Sequence, residues 1–332
     1  IQIITIYFIL KYSDFIHKKL VFYSFKNYLN MKIRVLGTSS AFPTKYRNHS
    51  ANLIKYSGEL LLFDCGEGTQ RQIRIAKENP QKISSIFISH WHGDHSFGIS
   101  GLMQSMGMNR RTKKLRIYGP VGTKEKINML MKVFESDKLS YTVEVFDIDP
   151  KDVETIYENN LYKINAMKLV HTVDCIGFSF VEKDKIRINT DYLKSIGVPV
   201  MHPELKKLAL EKNIEIDGKK INYKKSTYKE FGKKVTIILD SSYDEKLVKL
   251  SKDSDLLICE STFSNKVKES AKKGGHMTSK EAAKLAKLSD SKKLLLTHFS
   301  QRYKSVDELK SEAKSIYKKE IIMAKDFMEV KV

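Results

Sequence analysis

From residue 31 onward, short apolar runs alternate with amphipathic stretches, and this pattern predicts strands separated by helices. The run at 83–88 is apolar and contains β-branched residues, so it predicts a buried strand, and the Met-rich stretch after Ile99 predicts a helix. Two runs at 51–56 and 59–63 flank a Ser-Gly pair and predict a hairpin. The other predicted strands are 32–37, 115–118, 142–147, 161–169, 235–239, 256–259 and 294–297, and the other predicted helices are 69–78, 123–135 and 279–288.

Several predicted strands carry a metal-binding type of side chain just beyond their carboxyl ends. His171, Asp240 and His298 each follow an apolar strand of the second half, and a histidine cluster follows strand 83–88 in the first half. Loops between strands and helices are where α/β proteins usually place their chemistry. The repeated arrangement predicts two sheets face to face with helices outside. It also hints at an internal duplication, although no residue-level repeat is evident.

The pattern changes between about 184 and 230. The stretch 197–203 is a turn-rich break, and 214–223 predicts a small hairpin around Asp217 and Gly218. The segment has little periodic apolar character, so we interpret it as an insertion that projects from the core. Its lysines include Lys206, Lys207, Lys219, Lys220, Lys224 and Lys225.

Residues 1–30 differ from the rest of the chain. They begin with the apolar stretch IQIITIYFIL and continue with an aromatic and lysine-rich stretch. The apolar part is shorter than the roughly 20 residues of a membrane span, and no clear cleavage site follows it. We interpret 1–30 as an upstream extension or a disordered segment, with Met31 as the true start. An amphipathic N-terminal anchor is the alternative.

Composition narrows the class of protein. The 332 residues include 41% hydrophobic residues, enough for a real core, and the net charge is +20 from 59 Lys and Arg against 39 Asp and Glu. This charge favours a polyanionic partner, although the abundance of Lys, Ile, Asn and Tyr is also typical of a biased genome. The three cysteines, Cys65, Cys175 and Cys259, are isolated, which indicates a reducing compartment and no disulfide scaffold.

The cluster after strand 83–88 holds four potential metal ligands within six positions. These are His90, His92, Asp94 and His95, in a chain with only 9 histidines. Gly93 lets the backbone turn tightly between them. A polar loop with incidental histidines is the alternative, but imidazoles crowded this closely would repel one another if protonated. The spacing therefore predicts two adjacent metal ions, one held by the first pair of ligands and one by the second.

The ligands of two ions can be assembled once the strand-end residues are included. A single histidine or carboxylate after a strand is more often an ordinary surface or core residue, but three of them beside such a cluster change that balance. We predict that His90, His92 and His171 hold one ion, that Asp94, His95 and His298 hold the other, and that Asp240 bridges them. Two divalent cations suit attack by water on a phosphodiester. The imidazole-rich set favours Zn²⁺, with Mn²⁺ or Fe²⁺ as alternatives.

Several motifs together resemble the ribonuclease Z family of the metallo-β-lactamase superfamily. Besides the ligands above, they are Leu36 to Ser39, Pro43 to Asn48, Phe63 to Gln70, Gly101-Leu102, Tyr118 to Pro120 and Leu296 to Tyr303. The ligand motif alone marks only the superfamily, whereas the combination is specific and covers about 31–332.

The resemblance implies a fold and a function. The fold is α+β, with four αββα layers, two facing mixed sheets and a projecting arm at 187–225 that would bind tRNA. The function is that of a zinc-dependent endoribonuclease that removes the 3′ trailer of precursor tRNA and leaves a 3′-hydroxyl on the tRNA. A phosphodiesterase or arylsulfatase-like hydrolase of small esters is the alternative, and a catalytically silent RNA-binding protein is a third. The resemblance also implies a homodimer. From the ligand set, the cysteines and the lack of a long apolar stretch we expect two Zn²⁺ per subunit, a cytoplasmic location and no membrane association.

The family also implies roles for particular residues. Asp94 would be the general base as well as a ligand, His276 with Glu260 would protonate or stabilise the leaving oxygen, and Asp64 would orient a ligand imidazole. Residues implied to contact RNA phosphates are Lys45, Arg47 and Arg302 near the site and Lys206 and Lys207 on the arm.

The chain departs from the family pattern at three places. Residues 200–203 stand where a glycine-proline pair is usual in the arm, which puts the conformation of the arm in doubt. Cys259 replaces a histidine that helps order the acid, and Leu239 replaces a glycine before the bridging aspartate. These changes predict altered local turns, and they leave room for reduced activity or a different substrate preference.

Overall fold

The computed structural model describes residues 31–135 and 139–332, so the predictions for 1–30 lie outside the described residues. In chain order its strands are β1 (Lys32–Gly37), β2 (Ala51–Tyr56), β3 (Glu59–Phe63), β4 (Ile83–Phe87), β5 (Leu115–Pro120), β6 (Val143–Ile148), β7 (Glu154–Glu158), β8 (Tyr162–Leu169), β9 (Cys175–Glu182), β10 (Lys185–Ile188), β11 (Ile214–Ile216), β12 (Lys219–Ile221), β13 (Thr227–Glu230), β14 (Lys234–Ile238), β15 (Leu256–Glu260), β16 (Lys293–Thr297), β17 (Glu320–Met323) and β18 (Glu329–Lys331).

Most of the helices are short. The α-helices are α1 (Thr69–Ile75), α2 (Gly93–Ser96), α3 (Ile99–Met108), α4 (Thr123–Val133), α5 (Thr190–Ser195), α6 (Tyr223–Ser226), α7 (Leu247–Ser251), α8 (Lys268–Lys273), α9 (Ser279–Leu288) and α10 (Asp307–Ile316), and 3-10 helices span Pro80–Lys82, Pro203–Leu210 and Asn265–Val267. Over the described residues, no helix is long and apolar enough to cross a membrane.

Two seven-stranded sheets form the body of the molecule. The first has the order β18-β1-β2-β3-β4-β5-β6 and the second β17-β16-β15-β14-β9-β8-β7. Successive side chains of a strand point to opposite faces. In β3, Leu61 and Phe63 therefore join an apolar cluster shared with the second sheet, while Leu60 and Leu62 join a cluster under the first-half helices. Helices α9 and α10 cover the other face of the second sheet. The layers are thus helix, sheet, sheet and helix, which agrees with the predicted facing sheets.

Both sheets contain a run of parallel strands. In the first sheet β3, β4, β5 and β6 are parallel to one another. In the second sheet β14, β15, β16 and β17 are parallel to one another. The carboxyl ends of parallel strands lie at the same edge of a sheet, and ligand sites of open α/β sheets lie there. The strand-end residues predicted from the sequence therefore collect along one edge of each sheet.

Most predicted elements exist, with some differences at their ends. The helix predicted at 69–78 ends at Ile75, because Lys77 adopts a left-handed conformation with φ of 58° that stops the helix. The sequence analysis identified no strand at β9, although this strand lies in the middle of the second sheet. It is buried on both faces, so it shows no polar alternation.

The segment between β9 and β14 folds as a small unit, which we call the arm and define as residues 185–230. Strands β10 and β13 pair as its stem, and β11 and β12 form a hairpin around Gly218. Contrary to the low apolar periodicity noted in the sequence, the arm has its own cluster of buried apolar side chains. They are Leu193, Val198, Leu205, Leu208, Ile214, Ile216 and Ile221. The division of the chain into a domain and an inserted tRNA-binding arm stays a prediction.

Candidate metal centre

Three residues of the centre turn sharply where their strands end. Asp64, Asp240 and His298 have positive φ angles of 58°, 44° and 59°. This left-handed conformation is uncommon for residues other than glycine, and Asp and His tolerate it better than most. Such residues persist where the surrounding structure holds them, and they cluster at functional sites. Asp240 thus adopts a left-handed conformation even though the residue before it is Leu239, at the position where the resemblance led us to expect glycine.

The first ligand group consists of His90, His92 and His171 with one oxygen of Asp240. His90 Nε2 lies 2.9 Å from His92 Nδ1, which lies 3.3 Å from His171 Nε2. Asp240 Oδ2 lies 3.7 Å from the Nε2 atoms of both His90 and His171. Three imidazole nitrogens and one carboxylate oxygen around one point are a suitable ligand set for Zn²⁺.

The second ligand group consists of Asp94, His95 and His298 with the other oxygen of Asp240. His95 Nε2 lies 3.2 Å from His298 Nε2 and 3.3 Å from Asp94 Oδ2. Asp240 Oδ1 lies 3.3 Å from His95 Nε2 and 2.9 Å from His298 Nε2. Asp240 thus faces one group with each carboxylate oxygen, as a bridging ligand of two ions would.

The environment of Asp240 fits a metal ion. Its Oδ1 atom is buried and makes no hydrogen bond, despite the closeness of the His298 nitrogen. A buried carboxylate oxygen is strongly destabilising unless it accepts a hydrogen bond, pairs with a cation or coordinates a metal. Carboxylate oxygen and imidazole nitrogen atoms that converge this closely are the arrangement expected of metal ligands.

The electrostatics of the centre also favour a cation. Burial lowers the pKa of His90 and of His171. Burial also opposes the charge of His298, but the Asp240 carboxylate outweighs it and raises the pKa of His298 to about 10. Burial would raise the pKa of Asp94, but the adjoining His298 and His95 imidazoles outweigh burial and hold that pKa well below the usual range. A buried region that binds protons this firmly carries negative potential, which divalent cations would neutralise.

Hydrogen bonds at the far side of two imidazoles orient them for metal binding. His95 Nδ1 lies 2.6 Å from Asp64 Oδ2, and the same carboxylate accepts from the Ser89 backbone N at 2.7 Å and its Oγ at 2.9 Å. Since Ser89 Oγ donates to Asp64, it accepts from His90 Nδ1 at 3.0 Å. Both imidazoles therefore carry a proton on Nδ1 and present the Nε2 lone pair to the centre. Asp64 lies where the family resemblance implied.

Hydrogen bonds to Nδ1 orient two imidazoles of the second half of the chain in the same way. His298 Nδ1 lies 2.9 Å from Thr262 Oγ1, and Thr262 donates in turn to Glu260 Oε2. His171 Nδ1 donates to the Gly275 carbonyl at 2.9 Å. Gly275 has φ of +70°, and a Cβ atom there would lie 2.7 Å from His171 Nδ1, so the close approach requires glycine.

The sequence analysis missed these partners. Ser89 is next to His90, and Thr262 is two residues beyond Glu260, so only sequence proximity to predicted site residues could have indicated them. A serine or threonine near a ligand is too common to be a useful signal. Their roles depend on contacts between elements that are far apart in the chain.

The first prediction concerns Asp64→Asn. The amide NH₂ cannot accept the His95 proton as the carboxylate does, so we expect metal affinity and turnover to fall by roughly 10- to 100-fold. Metal content after dialysis and hydrolysis of a chromogenic phosphodiester measure the two effects. The matched control is Asp255→Asn, which changes a buried aspartate that pairs with Lys233 and Lys292 instead of a ligand. Wild-type metal affinity in Asp64→Asn would contradict the orienting role.

The predicted acid pair lies beside the ligand groups. His276 Nδ1 lies 3.2 Å from Glu260 Oε1 and 4.0 Å from Asp240 Oδ2. Burial opposes protonation of His276, but Glu260 outweighs it and raises the pKa of His276. Glu260 is completely buried, and its Oε1 accepts from the Ser241 backbone N at 2.6 Å. With Nδ1 turned to Glu260, His276 keeps its Nε2 atom for another partner.

Glu260 is ordered without a histidine at position 259. Ser241 and Thr262 hold its two oxygens. Cys259 is fully buried among the apolar residues of the main cluster, where burial, followed by the Glu260 charge, raises the pKa of its thiol. A neutral thiol in this position packs as a small apolar side chain. Glu260, His276 and His298 also meet the geometry of a third metal-holding group, but His298 Nε2 faces the second group.

Two of the predicted RNA contacts lie close to the centre. Arg47 lies over the ring of Phe299, at 5.4 Å from the ring centroid, and Phe299 directly follows His298. Arg302 lies 4.7 Å from the centroid of Phe263, whose ring packs against His276 at 5.8 Å. Arginine stacked on an aromatic ring is held in place while its guanidinium edge stays available to phosphate.

The other predicted contacts are more peripheral. Lys45 is exposed, with its Nζ 5.6 Å from the ring centroid of Tyr46. Lys206 and Lys207 are exposed on the 3-10 helix of the arm, where Lys207 pairs with Glu204 at 2.5 Å. The assignment of all five residues to RNA binding stays a prediction.

The loop that carries Arg47 is fixed by Asp326, which the sequence analysis did not identify. The carboxylate of Asp326 accepts from Thr38 Oγ1 at 2.7 Å, from the Asn48 backbone N at 2.8 Å and from Gln72 Nε2 at 3.0 Å. Burial raises the pKa of Asp326, opposed by these hydrogen bonds and by Arg47. The aspartate thus joins the C-terminal segment to the loop at the mouth of the centre.

Comparisons with known proteins define the class. The structure superposes on the metallo-β-lactamase fold protein YhfI from Bacillus subtilis with a TM-score of 0.66 at 23% identity, over 91% of this chain and 99% of that chain. This likeness confirms the four-layer fold. A family model described as Anti-Pycsar protein Apyc1 matches residues 31–197. The fold and the buried cluster of possible metal ligands together place the chain in the metallo-β-lactamase fold class.

Longer and closer similarities identify the family within this class. Ribonuclease Z from Methanococcus maripaludis is 37% identical over 90% of this chain and 98% of its own length. The crystal structure of human tRNase Z, short form, superposes with a TM-score of 0.67 at 29% identity, covering 90% of this chain and 98% of that chain. The chain belongs to the ribonuclease Z family, and it is a metal-dependent phosphodiester hydrolase.

Proposed function

We propose that the protein is a zinc-dependent endoribonuclease that removes the 3′ trailer of precursor tRNA and leaves a 3′-hydroxyl on the tRNA. The observation that carries the proposal is the division of one carboxylate, Asp240, between two ligand groups, with the Glu260–His276 pair at their side. The similarity to human tRNase Z supports tRNA as the substrate. The imidazole-rich first group supports zinc, and two groups support two ions per subunit.

The proposed chemistry divides between the ions and the side chains. Two divalent cations would make a water molecule more acidic and neutralise charge on the scissile phosphate. Asp94, ionised at neutral pH, takes the proton of the attacking water. The water oxygen forms a bond to phosphorus as the bond to the 3′-oxygen of the tRNA breaks. His276, held protonated by Glu260, donates a proton to that oxygen. The phosphate stays on the trailer.

A cleavage assay tests the proposal. A tRNA transcript with a 3′ extension is incubated with the protein, with and without a chelator, and the cleavage position is mapped. We expect a metal-dependent cut at the end of the acceptor stem, and a tRNA product that poly(A) polymerase can extend because it ends in a 3′-hydroxyl. No cut in the presence of Zn²⁺ would contradict the substrate, even if a chromogenic phosphodiester were hydrolysed. Hydrolysis of the chromogenic phosphodiester without cleavage of the tRNA would favour a hydrolase of small esters.

We further propose that the arm binds the RNA backbone through its lysines. Lys206→Ala combined with Lys207→Ala removes two cationic contacts, so RNA binding should weaken and log K should depend less steeply on log salt, by roughly 1 to 2 in slope. Binding curves at several salt concentrations measure this. The charge-matched control changes Lys314 and Lys318, which are exposed at the end of α10 and just beyond it. An equal change of slope in both double variants would mean that only the net charge matters.

We also propose a homodimer. Helices of the first half and the residues beside them expose large apolar side chains, namely Phe97, Met108, Met129 and Val133. Contiguous exposed apolar patches are typical of surfaces that contact another chain, and we infer that these side chains contribute to one. Sedimentation equilibrium tests the proposal, and a monomer at micromolar concentration would contradict it.

A further inference from the structure

The arm is joined to the body by two short connections. Its buried apolar residues form a cluster separate from the two clusters of the body. Residues 183–184 and 231–233 link its stem strands β10 and β13 to β9 and β14 of the second sheet. A small unit attached through two such links would be expected to swing unless the links are fixed. The contacts that hold these links therefore determine the direction in which the arm leaves the body.

A partly buried group of polar side chains, which we call the knot, lies at the root of the arm, and it includes a residue of the first sheet. Tyr56, the last residue of β2 in the first sheet, is 3% exposed and donates to Glu182 Oε1 at 2.7 Å. Lys185, the first residue of β10, pairs with the same oxygen and donates to Tyr56 Oη at 3.1 Å. Its ammonium also lies 5.5 Å from the centroid of the Tyr56 ring. Each polar group in the knot is thus partnered.

Backbone contacts tie the second link to the first. The other oxygen of Glu182 accepts from the Lys233 backbone N at 3.1 Å, and the Gly232 backbone N donates to Asp184 Oδ1 at 2.8 Å. A Cβ atom at Gly232 would lie 2.0 Å from the Glu182 carbonyl oxygen, so the two links approach too closely for any side chain there. Lys229 of the stem also pairs with Asp184 at 2.8 Å. Glu182 thus contacts Tyr56 of the first sheet, Lys185 of the stem and Lys233 of the second link.

We propose that Tyr56, Glu182 and Lys185 are positioning residues that fix the angle at which the arm leaves the body. Polar contacts such as that of Tyr162 with Glu59 join the two sheets to each other, whereas this knot connects the first sheet directly to the arm. A network with all members partnered specifies one arrangement, and loss of one member leaves the others unpartnered. The consequence for RNA rests on the proposed function, because a fixed arm holds its lysines at a set distance from the metal centre. The geometric consequence does not depend on it.

A distance measurement tests the geometric part. Spin labels are placed at Lys220→Cys on the arm and Ser315→Cys on α10, both exposed, while the three native cysteines are buried. We expect Tyr56→Phe and Glu182→Gln each to broaden or shift the distance distribution between the labels. Tyr162→Phe is the matched control, since Tyr162 is equally buried, packs 5.9 Å from Tyr56 and donates to Glu59 at the body. A distribution unchanged in both knot variants, or changed equally in the control, would overturn the proposal.

Kinetics test the consequence for RNA. Tyr56→Phe and Glu182→Gln should raise KM for a 3′-extended tRNA by about 3- to 10-fold, the effect of a few misplaced contacts, with kcat/KM for a chromogenic phosphodiester unchanged. A loss on both substrates would mean that the knot only stabilises the fold. If the wild-type protein cut no precursor tRNA, the proposed function would fail, and the distance measurement would still decide the role of the knot.

Discussion

Asp240→Asn is expected to reduce turnover of every substrate by more than the roughly 10- to 100-fold that follows loss of a residue which only orients a ligand. Among residues 31–135 and 139–332, Asp240 is the side chain common to both ligand groups, with Oδ2 toward His90 and His171 and Oδ1 toward His298. The substitution replaces one oxygen by an NH₂ group, which cannot bind a cation. One of the two groups must therefore lose a ligand whichever way the amide turns.

Metal analysis distinguishes this effect from a general loss of structure. We expect Asp240→Asn to retain less than the wild-type number of ions per subunit and to retain its affinity for RNA, because the cationic residues proposed to bind RNA lie elsewhere. Asp255→Asn serves as the control for an aspartate-to-asparagine change in the second sheet. A full complement of metal with normal turnover in Asp240→Asn would show that the carboxylate does not bridge the groups.

That the proposed ligands lie close together could be predicted from the sequence, because they follow the carboxyl ends of strands. Strands such as β4, β14 and β16 are apolar runs with clear ends, and parallel strands bring their carboxyl ends to one edge. The position of His171 or His298 just beyond an apolar run therefore indicates where that residue lies in the fold. The spacing of His90 to His95 adds the chemistry. No comparable signal exists for residues that act through hydrogen bonds alone.

Ser89, Thr262 and Asp326 illustrate what could not be predicted. Asp326 contacts Thr38, Asn48 and Gln72, which lie more than 250 residues away in the chain. Thr262 meets His298 across two neighbouring strands. Such contacts follow from the packing of the finished fold, and a polar residue in a loop gives no indication of its distant partner. The left-handed conformation of Asp240 was also not predicted, because Leu239 had indicated a turn different from that of the family.

The arm shows a different limit. Its apolar residues pack on one another, yet their spacing fits neither a long helix nor a long strand, because they come from a 3-10 helix, a hairpin and a short helix. Periodicity detects one regular element at a time. A small core assembled from several short elements leaves no periodic pattern, so the segment resembled an insertion without a core.

His276→Ala is expected to slow cleavage of precursor tRNA by about 100- to 10,000-fold, the usual contribution of a general acid. The metal content should not change, because His276 belongs to neither of the two groups that share Asp240. The leaving group gives the sharper test. The 3′-oxygen of a tRNA needs a proton as it departs, whereas p-nitrophenolate departs readily without one. His276→Ala should therefore spare a p-nitrophenyl phosphodiester much more than it spares RNA.

Two further variants separate this role from others. Asp64→Asn acts through the ligands, so it should slow both substrates by a similar factor. Glu260→Gln removes the charge that keeps His276 protonated, so it should reproduce the preference for the better leaving group in weaker form. Equal losses on RNA and on the p-nitrophenyl ester in His276→Ala would contradict proton donation. They would instead favour a role for His276 in binding the phosphate itself, where its Nε2 atom would contact an oxygen that is present in both substrates.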